Sequence, residues 1–329
     1  MKFLLWRSRK GGKVKVLVTG GSGFIGSHVV EKLLDRGIRV RIYDLMYPDF
    51  LESLAEGKRK MVEYYQGSLL EEDRIRLALS GMDAIFHLAA VADVNDVASE
   101  PRYAENINMK GTFNILEAAR FTKVKRVIFA STVWVYQDTP QEEKILTEDS
   151  PISLPSHFYT ATKFAGEANC TSYSKLFNVP FTILRFGIPY GPRARGTTVG
   201  AIFVDKALKG EPLTIAGDGS QYRKFVYVED LAEGCILALK SIARNKIYNL
   251  EGDKKITIKQ IAETIKEILG EAKIVYIADR KGDFSGKEIS NEKAKKELGW
   301  YPRVSFKEGL TEYIEWYKSV LKDTAEIEI

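Results

Sequence analysis

Cysteine is nearly missing from this chain of 329 residues. Only Cys170 and Cys235 occur, with neither metal-ligand spacing nor a pairing pattern. That excludes a disulfide framework, and both are expected to be small core residues of a protein kept in a reducing compartment. Histidine is almost as scarce, at three. His28 and His157 have no ligand-spaced partners and no Ser/His/Asp arrangement surrounds them, so neither a metal ion nor triad hydrolysis is expected. Long apolar runs are absent too. Phe3-Leu4-Leu5-Trp6 falls short of the ~7–15 residues of a signal-peptide core, and no stretch approaches the ~20 apolar residues of a membrane span. A cytoplasmic protein without a membrane partner is the expectation.

Charge is nearly balanced, at +5 from 49 basic and 44 acidic side chains. Part of the excess lies in Lys2, Arg7, Arg9, Lys10, Lys13 and Lys15, which leaves no clustered basic face of the kind a nucleic-acid partner requires.

What is present is the composition of a globular protein, 45% hydrophobic and 28% charged, long enough for a sizeable core. From Val14 onward, short β-branched apolar runs alternate with helical patterns. The runs are 14–18, 39–43, 62–66, 84–87, 126–130 and 181–185; the helical stretches lie near 24–36, 71–79, 103–121 and 157–177. This reads as α/β, a Rossmann-like doubly wound parallel sheet of six strands. After Pro192 the chain is punctuated by Gly and Pro, which predicts a smaller C-terminal α/β substrate domain. The expected organisation is a basic extension over 1–13, a dinucleotide-binding domain over 14–190 to which parts of 225–250 return, a substrate domain over 191–322, and a tail over 323–329.

Thr19-Gly20-Gly21-Ser22-Gly23-Phe24-Ile25-Gly26 comes directly after the first strand and opens a helix. Glycines at these positions allow a tight turn, close approach of the backbone to a pyrophosphate, and close packing of helix on strand, with the phosphates at the positive helix end. The second strand ends in Asp44, 18 residues after Gly26, where a carboxylate accepts ribose hydroxyls and repels a 2′-phosphate. NAD is therefore the expected cofactor. Arg39 and Arg41 alternate on one strand face and are expected to be solvated.

Tyr159-Thr160-Ala161-Thr162-Lys163 puts a phenol and an ammonium one helical turn apart. A phenol titrates near pH 10, and a neighbouring cation lowers that value toward the range of a useful base. Thr132, at the end of the 126–130 strand, offers a hydroxyl on the same carboxyl edge of the sheet as the glycine turn. These three are the candidate catalytic residues.

With these motifs in place, the chain resembles the extended short-chain dehydrogenase/reductase family, in its NAD-dependent nucleotide-sugar epimerase/dehydratase branch, from Val14 to about Tyr317. Gly20-x-x-Gly23-x-x-Gly26, His87-Leu88-Ala89-Ala90, Asn108-Met109-Lys110-Gly111-Thr112, Phe129-Ala130-Ser131-Thr132 with Val135-Tyr136, Gly217 to Asp230 and Leu298-Gly299-Trp300-Tyr301-Pro302 carry the likeness. The resemblance implies that Gly20, Ser22, Gly23, Phe24, Ile25, Gly26, Asp44, Ser68, Leu69, Leu88, Ala89, Ala90, Asn108, Ser131, Phe186 and Ile188 lie at the cofactor with Tyr159 and Lys163. It further implies that Leu213, Ile215 and Gly217 meet the nucleoside and that Arg223 and Arg280 grip a diphosphate. Lys287 falls in the region that sets the size of the sugar pocket, and Thr132 and Tyr159 would touch the sugar. The implied partners are a nucleotide sugar, a UDP-sugar first, and a second copy of the chain packed through the helices near 103–121 and 157–177.

Departures from the family pattern narrow the reaction. Dehydratases of the branch carry Asp-Glu directly after the catalytic Thr, and decarboxylases carry Glu at the second position; here Val133-Trp134 stand there. Hydride chemistry alone remains, which is all a 4-epimerase needs. Another NAD(P)-dependent sugar-nucleotide reductase, dehydrogenase or dehydratase is the alternative enzyme. A silent nucleotide-sensing scaffold is the alternative of another class. Ile188 stands where the family has Asn, and Ser68 where it has Asp.

Overall fold

The computed structural model describes residues 14–140, 145–278 and 287–327, with side chains to 322. The basic extension 1–13, Arg280 and the side chains of the tail lie outside the described residues. The chain divides into two compact units. The larger runs up to Phe186 and adds Ala232–Leu250 and Ile289–Tyr301; the smaller comprises Gly187–Leu231, Glu251–Glu288 and the chain from Pro302 onward.

In the larger unit, β1 (Lys15–Thr19), β2 (Arg39–Asp44), β3 (Val62–Gln66), β4 (Ala84–His87), β5 (Arg126–Thr132) and β6 (Phe181–Phe186) form as the sequence indicates. The sheet has seven strands rather than six, because Lys246–Leu250 adds to its edge in the order Lys246–Leu250, β6, β5, β4, β1, β2, β3, with every pair parallel. Helices cover both faces, so β4, β5 and β6 are buried along their whole length, while β3 on the edge is only half-buried. This burial explains why the central strands read as continuous apolar runs instead of alternating ones. One side of the sheet is filled by Leu17, Ile85, Val127, Phe129 and Ile183 against Ile115, Leu116 and Cys170. Cys170 and Cys235 are both buried and free, as expected.

The first helix, Phe24–Asp35, falls where the helical pattern near 24–36 placed it, and His28 on it is buried edge-on to Phe24. Asn106–Lys110 forms a π-helical turn that leads into helix Gly111–Thr122. Helix Phe158–Phe177 crosses the sheet and stops at Asn178, whose φ of 56° is a left-handed cap.

The smaller unit has a three-stranded sheet, in which Tyr222–Tyr227 pairs antiparallel with Lys255–Thr257 and parallel with Ile188–Tyr190, and a parallel pair of Leu213–Ala216 with Ile274–Ile277. Its core joins Phe203, Val204, Leu213, Ile215, Ile261, Ile265, Leu310 and Ile314. A Thr257–Gln260 capping box starts helix Ile258–Leu269. Among the described residues no helix is long and apolar enough to cross a membrane.

Candidate active site

The glycine turn is shaped by steric necessity. Gly20 has φ +71°, and a Cβ there would meet the Ala89 backbone nitrogen at 2.6 Å; a Cβ on Gly26 would lie 1.9 Å from the Gly20 carbonyl oxygen. The turn is closed by Gly23 N–H donating to Gly20 O at 3.1 Å. Gly23 caps helix Phe24–Asp35 without a side-chain hydrogen bond, and the first turn of that helix carries no acidic residue. Its leading amides therefore present positive potential that no side chain answers, which suits a diphosphate.

Asp44 closes the other side. Its carboxylate accepts from Ser22 N–H at 3.0 Å and Met46 N–H at 3.2 Å, while Ser22 Oγ donates to Met46 O at 2.6 Å. The acid is thereby tied to the glycine turn at the tip of β2. Arg41 is not the solvated side chain the sequence suggested. It faces Glu63 across β2 and β3, bonds that carboxylate at 2.7 Å through Nε, donates to Ala78 O at 2.7 Å and lies 4.4 Å from the centre of the Tyr65 ring. A cation directly opposite an acid in a parallel ladder is captured by it, so Arg41 is not available to a 2′-phosphate. Arg39 is exposed, as expected.

At the carboxyl ends of β4, β5 and β6 stand the other candidates. Thr132 ends β5, is 6% exposed, and pairs in register with Phe186 on β6. Its Oγ accepts from Trp134 N–H at 3.2 Å. Tyr159 is half-buried in the first turn of helix Phe158–Phe177. Lys163, one turn on, is buried, and its ammonium donates to Ala130 O at 2.9 Å and sits 5.9 Å from the centre of the Tyr159 ring. Burial lowers the Lys163 pKa to about 8. An ammonium held in a dry site beside a phenol stabilises the phenolate more than a solvated one would.

His87 enters the sequence reading only as part of a motif, yet its hydrogen bonds settle its state. Thr112 Oγ gives its single hydrogen to Asn108 O at 2.6 Å, so at 3.0 Å from His87 Nε2 it can only accept. Nε2 therefore carries the proton, and Nδ1, 2.8 Å from Thr19 Oγ, accepts. The ring is neutral, and burial together with the nearby Lys163 charge pushes its pKa down to about 3.

Several expected cofactor contacts turn out to have other duties. The Asn108 amide clamps the Val91 main chain, accepting from N–H at 2.8 Å and donating to O at 2.9 Å, and donates to Thr162 Oγ at 3.1 Å. It acts by bracing the loop just beyond Leu88, Ala89 and Ala90, which are themselves half-buried. Ser131 Oγ donates to Glu167 at 2.5 Å. Leu69 packs into the sheet-side core, and Ser68 Oγ accepts from Leu70 N–H within its own turn. Leu213 and Ile215 are fully buried in the core of the smaller unit, because alternate residues of a strand share its inner face; their side chains cannot line a nucleoside. Gly217 turns with φ +63° and donates to Ile277 O at 3.1 Å. Ile188 lies on the strand of the smaller unit that pairs with Tyr222–Tyr227, where Arg223 is half-buried; Lys287 is half-buried as well.

The sequence profile of the NAD-dependent epimerase/dehydratase family matches residues 16–250. The chain belongs to that family. It is 32% identical to the putative UDP-glucose 4-epimerase of Methanocaldococcus jannaschii over 92% of this chain and 98% of that protein. It is 34% identical to the UDP-N-acetyl-α-D-glucosaminuronate decarboxylase of Bacillus cytotoxicus over 94% of this chain and all of that one. The UDP-glucose 4-epimerase of Thermotoga maritima, solved with UDP-glucose, superposes with a TM-score of 0.85 at 32% identity, covering 94% of this chain and 100% of that chain. As a family member the chain is an enzyme with NAD as its cofactor, and the glycine cradle that any Cβ would fill, the uncapped helix start and the tethered Asp44 fit that nucleotide. The relatives span epimerases and a decarboxylase, so the family alone does not select the reaction.

Proposed function

We propose that this protein interconverts the C4 epimers of a nucleotide sugar, with a UDP-sugar as the first candidate. The observation that carries the reading is the pair Val133-Trp134 directly after Thr132. Val133 packs into a core with Val135, Tyr136 and Leu146, and Trp134, 37% exposed, presents an indole where decarboxylating and dehydrating members carry an acid. That replacement takes away the acid that would abstract a proton from a neighbouring sugar carbon or help to expel water.

Bound NAD supplies reversible hydride acceptance. In this reading the Thr132 hydroxyl orients the sugar's 4-hydroxyl and the Tyr159 phenolate takes its proton, stabilised by Lys163. Tyr159 returns the proton when the 4-keto sugar is reduced on its other face. The leading amides of Phe24, Ile25 and Gly26 hold the cofactor's diphosphate, and Asp44 its ribose. In the smaller unit, Arg223 is the described candidate for the substrate's diphosphate, since a guanidinium fork matches phosphate oxygens. A homodimer is part of the proposal: Tyr103, Phe113, Phe121, Leu176 and Phe177 are 48%, 48%, 56%, 72% and 42% exposed on the stretch 103–122 and on helix Phe158–Phe177, an apolar surface of the kind partners cover.

Incubation with UDP-galactose, UDP-N-acetylgalactosamine and UDP-glucuronate, and separation of the products, tests the reading. A C4 epimer from one of them is expected. Carbon dioxide release or stoichiometric change in free reduced cofactor would instead assign a decarboxylase or a net redox enzyme. Binding of NAD with no turnover of any sugar would assign a sensor.

A further inference from the structure

A buried ion pair that no motif pointed to lies behind Thr132. Glu167 and Arg185 are 5% and 2% exposed and joined twice, Nε to Oε1 at 2.9 Å and Nη2 to Oε2 at 2.7 Å. Each also grips the segment around Thr132. Ser131 Oγ, just before it, donates to Glu167, while Arg185 Nη1 donates to the hydroxyl of Tyr136, four residues after it, at 2.5 Å. Tyr136 is fully buried and donates onward to Asn249 Oδ1 at 3.0 Å. Glu167 sits on helix Phe158–Phe177 one turn beyond Lys163, so Tyr159, Lys163 and Glu167 succeed each other at i, i+4 and i+8 on one helix face.

We propose that Glu167 and Arg185 are positioning residues: a clamp that fixes the segment Ser131–Tyr136 against helix Phe158–Phe177 and so sets the distance between the Thr132 hydroxyl and the Tyr159 phenol. The inference rests on the roles given to Thr132 and Tyr159 above. Two features favour a positioning role over simple stabilisation. Burying two charges contributes little net stability even when they are well paired, and an apolar pair of similar volume would serve the fold equally. The bidentate geometry, by contrast, constrains direction as well as distance, and its two outer bonds fall on either side of one candidate catalytic residue.

The test replaces both charges together, as Glu167→Met with Arg185→Met, so that neither is left buried alone. For this double variant we expect melting temperature near that of the wild type, kcat lowered about tenfold or more because misplacement by a fraction of an ångström is costly, and KM changed less than about twofold. Amide exchange should quicken in residues 133–136 and 159–163. A folded double variant with wild-type kcat and wild-type exchange overturns the proposal and leaves the pair a structural feature. If the double variant does not fold, Ser131→Ala with Tyr136→Phe removes the outer bonds, together with the Tyr136 bonds to Thr147 O and Asn249 Oδ1: lowered kcat at unchanged melting temperature supports the clamp, and unchanged kcat overturns it. Should the wild type epimerise no sugar, the functional reading fails, while the exchange measurement still decides whether the clamp orders the two segments.

Discussion

The ammonium of Lys163 donates to the main-chain oxygen of Ala130 at 2.9 Å, and so a charged side chain is fixed beneath the end of the very strand that carries Thr132. Burial lowers its pKa to about 8 from 10.5. The charged form therefore destabilises the fold below pH 8, and this cost is relieved as pH rises from 8 to 10.5, where the folded state loses its proton before the unfolded state does. Lys163→Met in nucleotide-free protein should melt higher than the wild type at pH 7, with the difference shrinking through that window, while turnover falls about a hundredfold or more with loss of the acid–base partner. Melting curves at several pH values and initial rates check both halves.

His87 gives a slope of the same sign on the acid side. Its pKa falls to about 3 from 6.5, through burial and then the Lys163 charge. The unfolded chain thus binds a proton that the folded chain refuses, and stability present above pH 6.5 is lost as pH falls toward 3, by up to about 1.4 kcal/mol per pH unit. His87→Gln keeps an acceptor and a donor between Thr19 and Thr112 and should flatten this part of a stability-versus-pH curve measured by denaturant titration. An unchanged slope would move the acid sensitivity elsewhere.

Among the described glycines whose added Cβ meets a neighbour, Gly26→Ala is predicted to be the most damaging. The new Cβ would stand 1.9 Å from Gly20 O, a main-chain atom at the heart of the turn, so helix and strand must part. Loss of about 1–3 kcal/mol or more is expected, with NAD affinity falling further than stability. Gly37→Ala is the useful control: space around Gly37 is open, and its φ of +69° alone makes alanine strained, so that variant should lose some stability and keep NAD.

Asp44→Asn should weaken NAD binding by about tenfold, since a charge-assisted hydrogen bond to ribose becomes a neutral one. It should not confer tight NADP binding, because Arg41 remains held by Glu63 and the Ala78 carbonyl. Calorimetric titration with both nucleotides separates these effects. Strong NADP binding by Asp44→Asn would show that another cation reaches the 2′ position.

The parts of the molecule legible in the sequence were those governed by local chemistry. Six of the seven strands of the sheet declared themselves as β-branched runs, and the glycine turn with Asp44 as a motif whose geometry the structure bears out. The seventh strand, Lys246–Leu250, lies 60 residues beyond the end of β6; the expectation that parts of 225–250 return to the dinucleotide-binding domain covers its region, but its pairing beside β6 required the fold. Arg41 was misread for a similar reason: alternation gives its face but not its cross-strand neighbour, Glu63. Leu213 and Ile215 were assigned to the nucleoside by resemblance, although their alternation on a short strand already marked an inner face. Glu167 was within reach, since the Tyr159, Lys163 stripe continues to it at the same spacing. Its partner Arg185 required the fold.

The central claim is that the hydride removed from C4 returns to C4. Nucleotide sugar deuterated at C4, incubated with the wild-type protein and analysed by mass spectrometry and proton NMR, tests it directly. The account predicts an equilibrium mixture of C4 epimers with the label retained at C4 in both, and no conversion of one epimer into the other by Tyr159→Phe. Loss of the label to solvent, or a product lacking carbon dioxide or water, would contradict it.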